Sequence, residues 1–244
     1  MKKKILLLLM LFLLLSTNLI YALNANQILN QVEKKINPQT AKIKLEIKTP
    51  SNDKVVEYFS KENESEVNTL FKVLAPNEEE GTAILALDKR GTEELYFYIQ
   101  AIGARKVAVN QKKGSFLQTE YNYFEILDMV EGNYNQKFES SIQDQNENGF
   151  VLKLTPKNKL NQYQYLLLYV NNKYLPQKIE FYKGQKKYKV WEVKELVRNN
   201  GLYVPKKSVM VDLINNQQTE ITFAEIDYNV ELNDLIFSVR YLKR

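Results

Sequence analysis

From residue 40 almost to residue 230, apolar side chains recur at every second position, and this period constrains the fold more than any other feature. Ile43, Leu45 and Ile47, for example, alternate with lysines and a glutamate, so one side of that segment is apolar and the other is polar. Successive side chains of a strand point to opposite faces, whereas a helical pattern repeats about every 3.6 residues. The period therefore predicts a mainly β protein.

Turn-forming residues divide the alternating region into about eleven to thirteen short strands. We expect them near residues 43–47, 55–60, 67–74, 82–87, 95–99 and 106–109, and then at 134–142, 150–155, 163–170, 178–182, 188–197, 203–214 and 219–230. Antiparallel connections are favoured, because each parallel crossover would need about a dozen residues or more.

Two segments have helical spacing instead. The apolar residues on one side of the first are Leu23, Ile28, Leu29, Val32 and Ile36, and Asn37-Pro38 would end this helix. The second segment is residues 119–131, in which Thr119 is a candidate cap. Its helical side would carry Tyr123, Phe124, Leu127 and Val130.

A sheet of so many strands twists and then splits, closes or curls, which leaves a sandwich, a closed barrel or a curved open sheet. The two helices favour the last. We therefore expect a strongly curved antiparallel sheet of about 11 strands that forms an open half-barrel, with the N-terminal helix and the short mid-chain helix acting as a lid. No linker or fixed repeat divides residues 23–244, so a single domain is expected.

The first 22 residues have the three parts of a signal peptide. Lys2, Lys3 and Lys4 precede the apolar run 5–15, and a segment that ends in Ala22 follows. The alternative is a retained membrane anchor, but eleven helical residues extend only about 17 Å, against about 30 Å of hydrocarbon. We predict cleavage near Ala22 and a soluble protein in the periplasm or another extracytoplasmic space.

Cysteine and histidine are both absent from the chain. Their absence excludes disulfides, thiol nucleophiles, Cys/His zinc sites and catalytic triads that use imidazole. Lys and Arg number 34, and Asp and Glu number 29, but three of the lysines lie in the predicted signal peptide. The positive and negative charges of the remaining chain are therefore nearly equal, which argues against nucleic-acid binding. We predict no enzymatic activity, no catalytic residue, no metal and no cofactor; a hydrolase that uses carboxylates alone is the remaining enzymatic alternative.

Three segments in order resemble the LolA-like outer-membrane lipoprotein-sorting family. Residues 73–76 (VLAP) with 81–85 (GTAIL) are similar to its "P…GTAFL" stretch, and residues 95–98 (LYFY) with 104–107 (ARKV) to its "WLYLP…RRI" stretch. The most specific match is residues 114–125 (GSFLQTEYNYFE), which resemble "GSFMGTDFSYEDL". Gln118 stands where the family has glycine, and the ending 237–242 (FSVRYL) is also similar.

The resemblance implies a half-barrel whose apolar concavity, covered by helices, carries acyl chains across an aqueous compartment. The implied partners are the acyl chains of lipoproteins or lipids and an inner-membrane transporter that loads them. Transient membrane contact and a monomer are also expected. The alternative is an envelope sensor or protein-interaction module that uses the same half-barrel without lipid transfer.

Candidate ligand-binding residues are the apolar side chains on one face of the first strands and in the lid segment. They are Ile43, Leu45, Ile47, Phe71, Val73, Ile84, Phe97, Ile99, Val107, Val109, Phe116, Tyr121, Tyr123 and Phe124. A dry core is the alternative role for these residues, and the opposite face of each strand is the alternative lining. The lone Trp191 is interpreted as a core or lid-packing residue.

Overall fold

The computed structural model describes residues 23–89 and 92–243. The predicted signal peptide, residues 1–22, lies outside the described residues. Three α-helices occur in the described part: α1 (Ala25–Ile36), α2 (Tyr123–Glu131) and α3 (Tyr134–Lys137). Short 3-10 helices lie at Asn77–Glu79, Val109–Lys113, Asp234–Phe237 and Tyr241–Lys243.

Thirteen antiparallel strands form one sheet that does not close. The strands are β1 (Thr40–Lys48), β2 (Lys54–Glu62), β3 (Val67–Ala75), β4 (Ala83–Asp88), β5 (Glu93–Ile99), β6 (Gly103–Lys106), β7 (Phe138–Asn146), β8 (Gly149–Pro156), β9 (Tyr165–Asn171), β10 (Pro176–Lys183), β11 (Lys186–Asn199), β12 (Leu202–Asp212) and β13 (Gln217–Tyr228). Their order is β6-β5-β4-β3-β2-β1-β13-β12-β11-β10-β9-β8-β7. The predicted mainly β, open antiparallel sheet with two covering helices is confirmed, with thirteen strands instead of about eleven.

The pairing of β1 with β13 joins the two halves of the sheet. Ile43 lies opposite Ile226, and after a bulge in β13, where Ala224 is the extra residue, the partner of Leu45 is Phe223. A bulge bends the strand that contains it and increases its twist, which helps a large sheet to curl. The two ends of the sheet, β6 and β7, remain edges.

The two faces of the sheet bury different residues. On the inner face, Phe71 and Ile84 belong to a large cluster that includes the buried side of α1. On the outer face, Leu70 and Leu85 pack with the C-terminal 3-10 helices. Neighbouring residues on one strand thus pack in clusters on opposite faces of the sheet, because successive side chains of a strand point to opposite faces.

Three local predictions were wrong. The sixth strand is Gly103–Lys106 and not 106–109, and residues 134–137 form α3 before β7 begins. Helix α2 is capped by Asn122, whose side chain accepts a hydrogen bond from the Glu125 backbone N–H at 2.8 Å. Thr119 instead donates its hydroxyl to the Phe116 carbonyl at 2.6 Å, so it closes the preceding turn.

Candidate functional site

A partly enclosed, mainly apolar cavity of about 90 Å³ lies between the inner face of the sheet and the helices. Strand β1 contributes Ala41, Ile43 and Leu45 to its lining. From α2 come Ile126, Met129 and Val130, and from β12 and β13 come Pro205, Ser208, Ile221, Phe223 and Tyr228. The volume is about three water volumes and well below the roughly 300 Å³ at which ligand pockets begin.

The polar groups of the cavity are uncharged. None of the described residues that line it is Asp, Glu, Lys or Arg. Hydroxyl groups come from the four lining tyrosines, which are Tyr58, Tyr121, Tyr134 and Tyr228, and from Ser60 and Ser208. Burial raises the pKa of each of these tyrosines above its ordinary value, so all four stay protonated at neutral pH.

Tyr121 is the most unusual of these residues. Only 1% of its surface is exposed, and its hydroxyl has no hydrogen-bond partner among the described residues. The Ser208 hydroxyl and the Trp191 indole are its polar neighbours, although neither meets hydrogen-bond geometry. A buried hydroxyl without a partner costs free energy, so its presence in a cavity wall needs an explanation.

Helix α1 covers one side of the cavity and ends at its lining. Asn24 and Gln27 form a capping box at the start of the helix, and Leu29 and Val32 are fully buried beneath it. After Ile36, the segment Asn37-Pro38 turns into β1 and lines the cavity. Proline disfavours a helical conformation for the residue before it, so the chain must leave the helix at this point.

The beginning of α2 is fastened to the sheet by a buried ion pair. The Lys189 Nζ of β11 lies 3.2 Å and 3.1 Å from the two carboxylate oxygens of Glu125, whose side chain is almost completely buried. Tyr163 donates its hydroxyl to the same carboxylate, and Lys189 also donates to the Glu120 carbonyl at 2.5 Å. These bonds hold the loop that carries Tyr121 against the sheet.

The end of α2 is held by a second ionic group. Lys137 Nζ of α3 lies 3.0 Å from Asp128 Oδ1 and 2.7 Å from Glu131 Oε2. Burial is the largest influence on Glu131, and it raises the pKa of this carboxyl to about 7 despite the lysine. The Glu131 backbone carbonyl accepts a hydrogen bond from the Asn37 side chain at 3.4 Å, which connects the end of α2 to the end of α1.

The structure places the predicted ligand-binding residues in several environments. Ile43, Leu45 and Tyr121 line the cavity. Residues of the same inner cluster that are packed without a cavity are Ile47, Phe71, Val73, Ile84 and Phe116, while Phe97, Val107 and Tyr123 lie partly buried against it.

The remaining three predicted residues lie elsewhere. Phe124 borders a separate pocket with Lys112 and Lys137, Ile99 is half-buried at the end of β5, and Val109 begins a 3-10 helix.

Sequence reasoning missed the part of the lining that comes from the end of the chain. Ser208, Ile221, Phe223 and Tyr228 lie in segments that were predicted as strands, but nothing local shows that β13 pairs with β1. Their inward positions could have been read from the alternation once that pairing was known. Trp191, interpreted as a core or lid-packing residue, is buried and lines the cavity.

The fold defined by this sheet and its helices is that of the LolA-like proteins. A domain from Vibrio parahaemolyticus assigned to outer membrane lipoprotein sorting superposes with a TM-score of 0.82 at 18% identity, over 90% of this chain and 98% of that chain. A DUF1329 family protein from Desulfovibrio piger gives 0.79 at 17% identity, over 88% and 96%. A LolA superfamily protein from Nitrosomonas europaea gives 0.71 at 21% identity, over 90% and 100%.

The resemblance noted in the sequence is thus confirmed for the fold. A family model described as "-like: Uncharacterized protein" matches residues 65–244, which is more than half of the chain, and the chain belongs to that family. No curated protein matches the sequence. None of the helices within residues 23–89 and 92–243 has the length and apolar character that a membrane span requires.

Proposed function

We propose that this protein is an extracytoplasmic carrier that binds acyl chains of lipoproteins or lipids at the inner face of its half-barrel, for sorting to the outer membrane. The observation that carries the proposal is the uncharged, mainly apolar cavity between the sheet and α1 and α2. Support also comes from the signal-peptide pattern of residues 1–22 and from solved structures of the same fold, one of them assigned to lipoprotein sorting. The proposed location is the periplasm.

The energetics of acyl transfer suit a site with a movable cover. Each buried methylene contributes about 0.8 kcal/mol, so a chain of about sixteen carbons contributes roughly 12 kcal/mol in the protein or in a membrane. Because the two environments are nearly equivalent, a carrier needs a site that can open and release its ligand.

The present cavity is too small for a whole acyl chain, so α1 or α2 must move for binding to occur. Candidates for the displaced contacts are the predicted residues of the dry inner cluster, such as Phe71 and Phe116, whose ring centroids are 4.9 Å apart. An acyl chain that enters past Leu45 would replace these apolar contacts by its own. The cost of opening is then partly offset, because apolar surface stays buried.

A cavity-filling substitution tests the proposal. Ala41→Leu adds about three methylene-sized groups to a cavity wall, so it should reduce binding of a fluorescent acyl probe by about tenfold or more, while leaving the protein as stable or slightly more stable. Binding is measured by titration of the purified residues 23–244 and stability by urea unfolding. The matched control is Ala101→Leu, which changes an exposed alanine in the turn before β6 and should leave binding unchanged. Undiminished binding to a folded Ala41→Leu variant would contradict the proposed site.

Lipid that copurifies with the protein gives a second test. Protein produced with its signal peptide and isolated from the extracytoplasmic fraction should release acyl lipids on organic extraction, and these are detected by mass spectrometry. A ligand-free preparation that also ignores added acyl probes would reject the carrier function.

The alternative, an envelope sensor or protein-interaction module, is favoured by one observation: the inner face is filled mainly by its own side chains, which leaves about 90 Å³. Leu45→Glu separates the two functions. A folded Leu45→Glu variant that still works in cells, while substitutions on the exposed faces abolish function, would favour the alternative.

A further inference from the structure

The absence of charge from the cavity lining restricts which ligands can enter it. A free fatty acid is ionised at neutral pH, and an ionised carboxylate in an apolar site needs a cation or several hydrogen-bond donors. None of the described lining residues supplies a cation. An acyl ester or amide carries no charge, and its carbonyl needs only one donor to replace the water that it loses.

Tyr121 can supply that donor. The residue lines the cavity, and its hydroxyl is buried in the cavity wall without a hydrogen-bond partner among the described residues. The backbone around it is fixed, because the Tyr121 carbonyl accepts a hydrogen bond from the Phe116 N–H at 2.7 Å and the Tyr121 N–H bonds to Thr119 Oγ1 at 3.2 Å. A donor held in place without a partner is preorganised for a ligand acceptor.

We propose that the cavity is a subsite for the uncharged ester or amide linkage of an acyl ligand, and that Tyr121 donates its hydroxyl to the linkage carbonyl. The inference rests on the proposed acyl-binding function. The subsite lies among Ile43, Leu45, Tyr121 and Ser208, and the hydrocarbon tail continues toward Phe71 and Phe116 when the helices move. The protein therefore takes glycerol-linked or protein-linked acyl chains in preference to free fatty acids.

The size of the preference follows from the ligand's own acidity. A carboxylic acid with an ordinary pKa of about 4.3 can enter as the neutral acid, but at about pH 7.5 this form is about one part in 1,000. The structure thus predicts that an ester binds between about 10-fold and 1,000-fold more tightly than the acid of the same chain length. A cavity with a lysine or arginine in its wall would give the opposite order.

The lone tryptophan makes the test specific for this site. Trp191 lines the cavity, so a bromine atom on a bound acyl chain should quench its fluorescence. The two probes are 6-bromododecanoic acid and its glycerol monoester, whose bromine lies near the linkage end of the chain, titrated below their aggregation concentrations into the purified residues 23–244. We expect quenching by both, with the ester midpoint at least about 10-fold lower.

Tyr121→Phe removes the donor and keeps the ring. It should weaken ester binding by about 3-fold to 10-fold, which corresponds to one hydrogen bond, and it should weaken binding of the neutral acid by a similar factor, because the acid carbonyl accepts the same bond. Because the hydroxyl has no partner among the described residues, the variant should unfold at the same or a higher urea concentration. The matched control is Tyr98→Phe on the outer side of the sheet, which should leave ester binding unchanged.

The outcomes separate the two proposals. Quenching with equal midpoints for acid and ester, or an ester midpoint unaffected by Tyr121→Phe, overturns the subsite while the carrier function stands. Absence of quenching by either probe overturns the carrier function itself, and the subsite with it. A preference for the ester, together with weaker ester binding by the Tyr121→Phe variant, supports both.

Discussion

At the scale of single residues, the loop before α2 depends on two backbone conformations that few residues adopt readily. Leu117 and Gln118 have φ values of 49° and 61°, in the left-handed region that favours glycine. The LolA-like motif has glycine at the position of Gln118, so this chain keeps the turn without the residue that suits it best. Hydrogen bonds from Ser115 to the Thr119 carbonyl and from Thr119 to the Phe116 carbonyl hold the turn. The result is that Phe116 and Tyr121 both reach the inner face.

Glu131 should make stability depend on pH. Burial raises its pKa from an ordinary value of 4.5 to about 7, so the folded protein binds this proton more tightly than the unfolded chain does. The stabilisation is complete below about pH 4.5 and is lost as the pH rises through about 7. Glu131→Gln should therefore flatten the fall in unfolding free energy between about pH 5 and pH 8 by about 1–3 kcal/mol. Urea unfolding of the wild type and the variant at about pH 5 and at about pH 8 measures this difference in unfolding free energy.

The control for this prediction is Glu64→Gln, which neutralises an exposed glutamate in the turn after β2. It should leave the pH dependence of the unfolding free energy unchanged. If Glu131→Gln keeps the wild-type pH dependence, then Lys137 at 2.7 Å compensates the burial of Glu131 more fully than we infer.

At the scale of elements, α1 and α2 share a junction next to the cavity. The Asn37 side chain donates to the Glu131 carbonyl, and Gly132, with φ 64° and ψ −122°, turns the chain immediately after α2. A Cβ atom on Gly132 would overlap the Asn37 amide. This close approach means that any opening that moves the end of α2 must also change its contact with α1.

Gly132→Ala should lower the unfolding free energy more than a Gly→Ala substitution at another glycine that has a similar φ but free space around it. Gly81, with φ 81°, is that comparison, because no described atom beyond its chain neighbours lies within 4 Å of the position that a Cβ atom would take there. We expect Gly81→Ala to cost about 1 kcal/mol of unfolding free energy, from backbone strain, and Gly132→Ala about 2 kcal/mol or more. Urea unfolding of both variants measures the difference.

The double variant Gly132→Ala/Asn37→Ala shows whether crowding is the cause. Removing the Asn37 amide should reduce the additional cost of the Gly132 substitution by about 1 kcal/mol. An unchanged additional cost would assign the whole effect to the backbone conformation of Gly132 and none of it to the junction.

At the scale of the whole molecule, a continuous sheet is covered by two helices with separate attachments. Helix α1 packs against β12 and β7, and α2 is held by Lys189 of β11 at one end and by Lys137 of α3 at the other. The sheet is tied by backbone hydrogen bonds across all thirteen strands, whereas the helices are tied by side chains. The helices are therefore the elements expected to move when a ligand enters.

Hydrogen–deuterium exchange can detect that movement. Addition of the glycerol monoester of dodecanoic acid should change the exchange of amides in α1 and in residues 122–131 by at least about fivefold, with smaller changes in β11, β12 and β13. Ala41→Leu should suppress the change at the same ligand concentration. If binding leaves the exchange of both helices unchanged, the ligand enters without moving them, and the opening mechanism is wrong.

The sequence by itself determined the local structure, because alternation and turn residues act over a few neighbours. It predicted the β period, the approximate strands, the two main helices and the open sheet, and the motif at residues 114–125 indicated the family fold. It placed Ile43, Leu45 and Tyr121 among candidates that include eleven residues outside the cavity lining. The predicted cap, Thr119, was wrong, because the side chain of Asn122 caps α2 instead.

Only the tertiary structure decided which residues meet. The pairing of β1 with β13 joins residues about 180 positions apart, and it alone brings Ile221 and Phe223 to the wall that Ile43 and Leu45 begin. The volume that remains between sheet and helices, and the unpartnered hydroxyl of Tyr121 among the described residues, depend on side-chain packing across several elements. Such packing has no local signature, because it is set by contacts between segments that the chain brings together only when it folds.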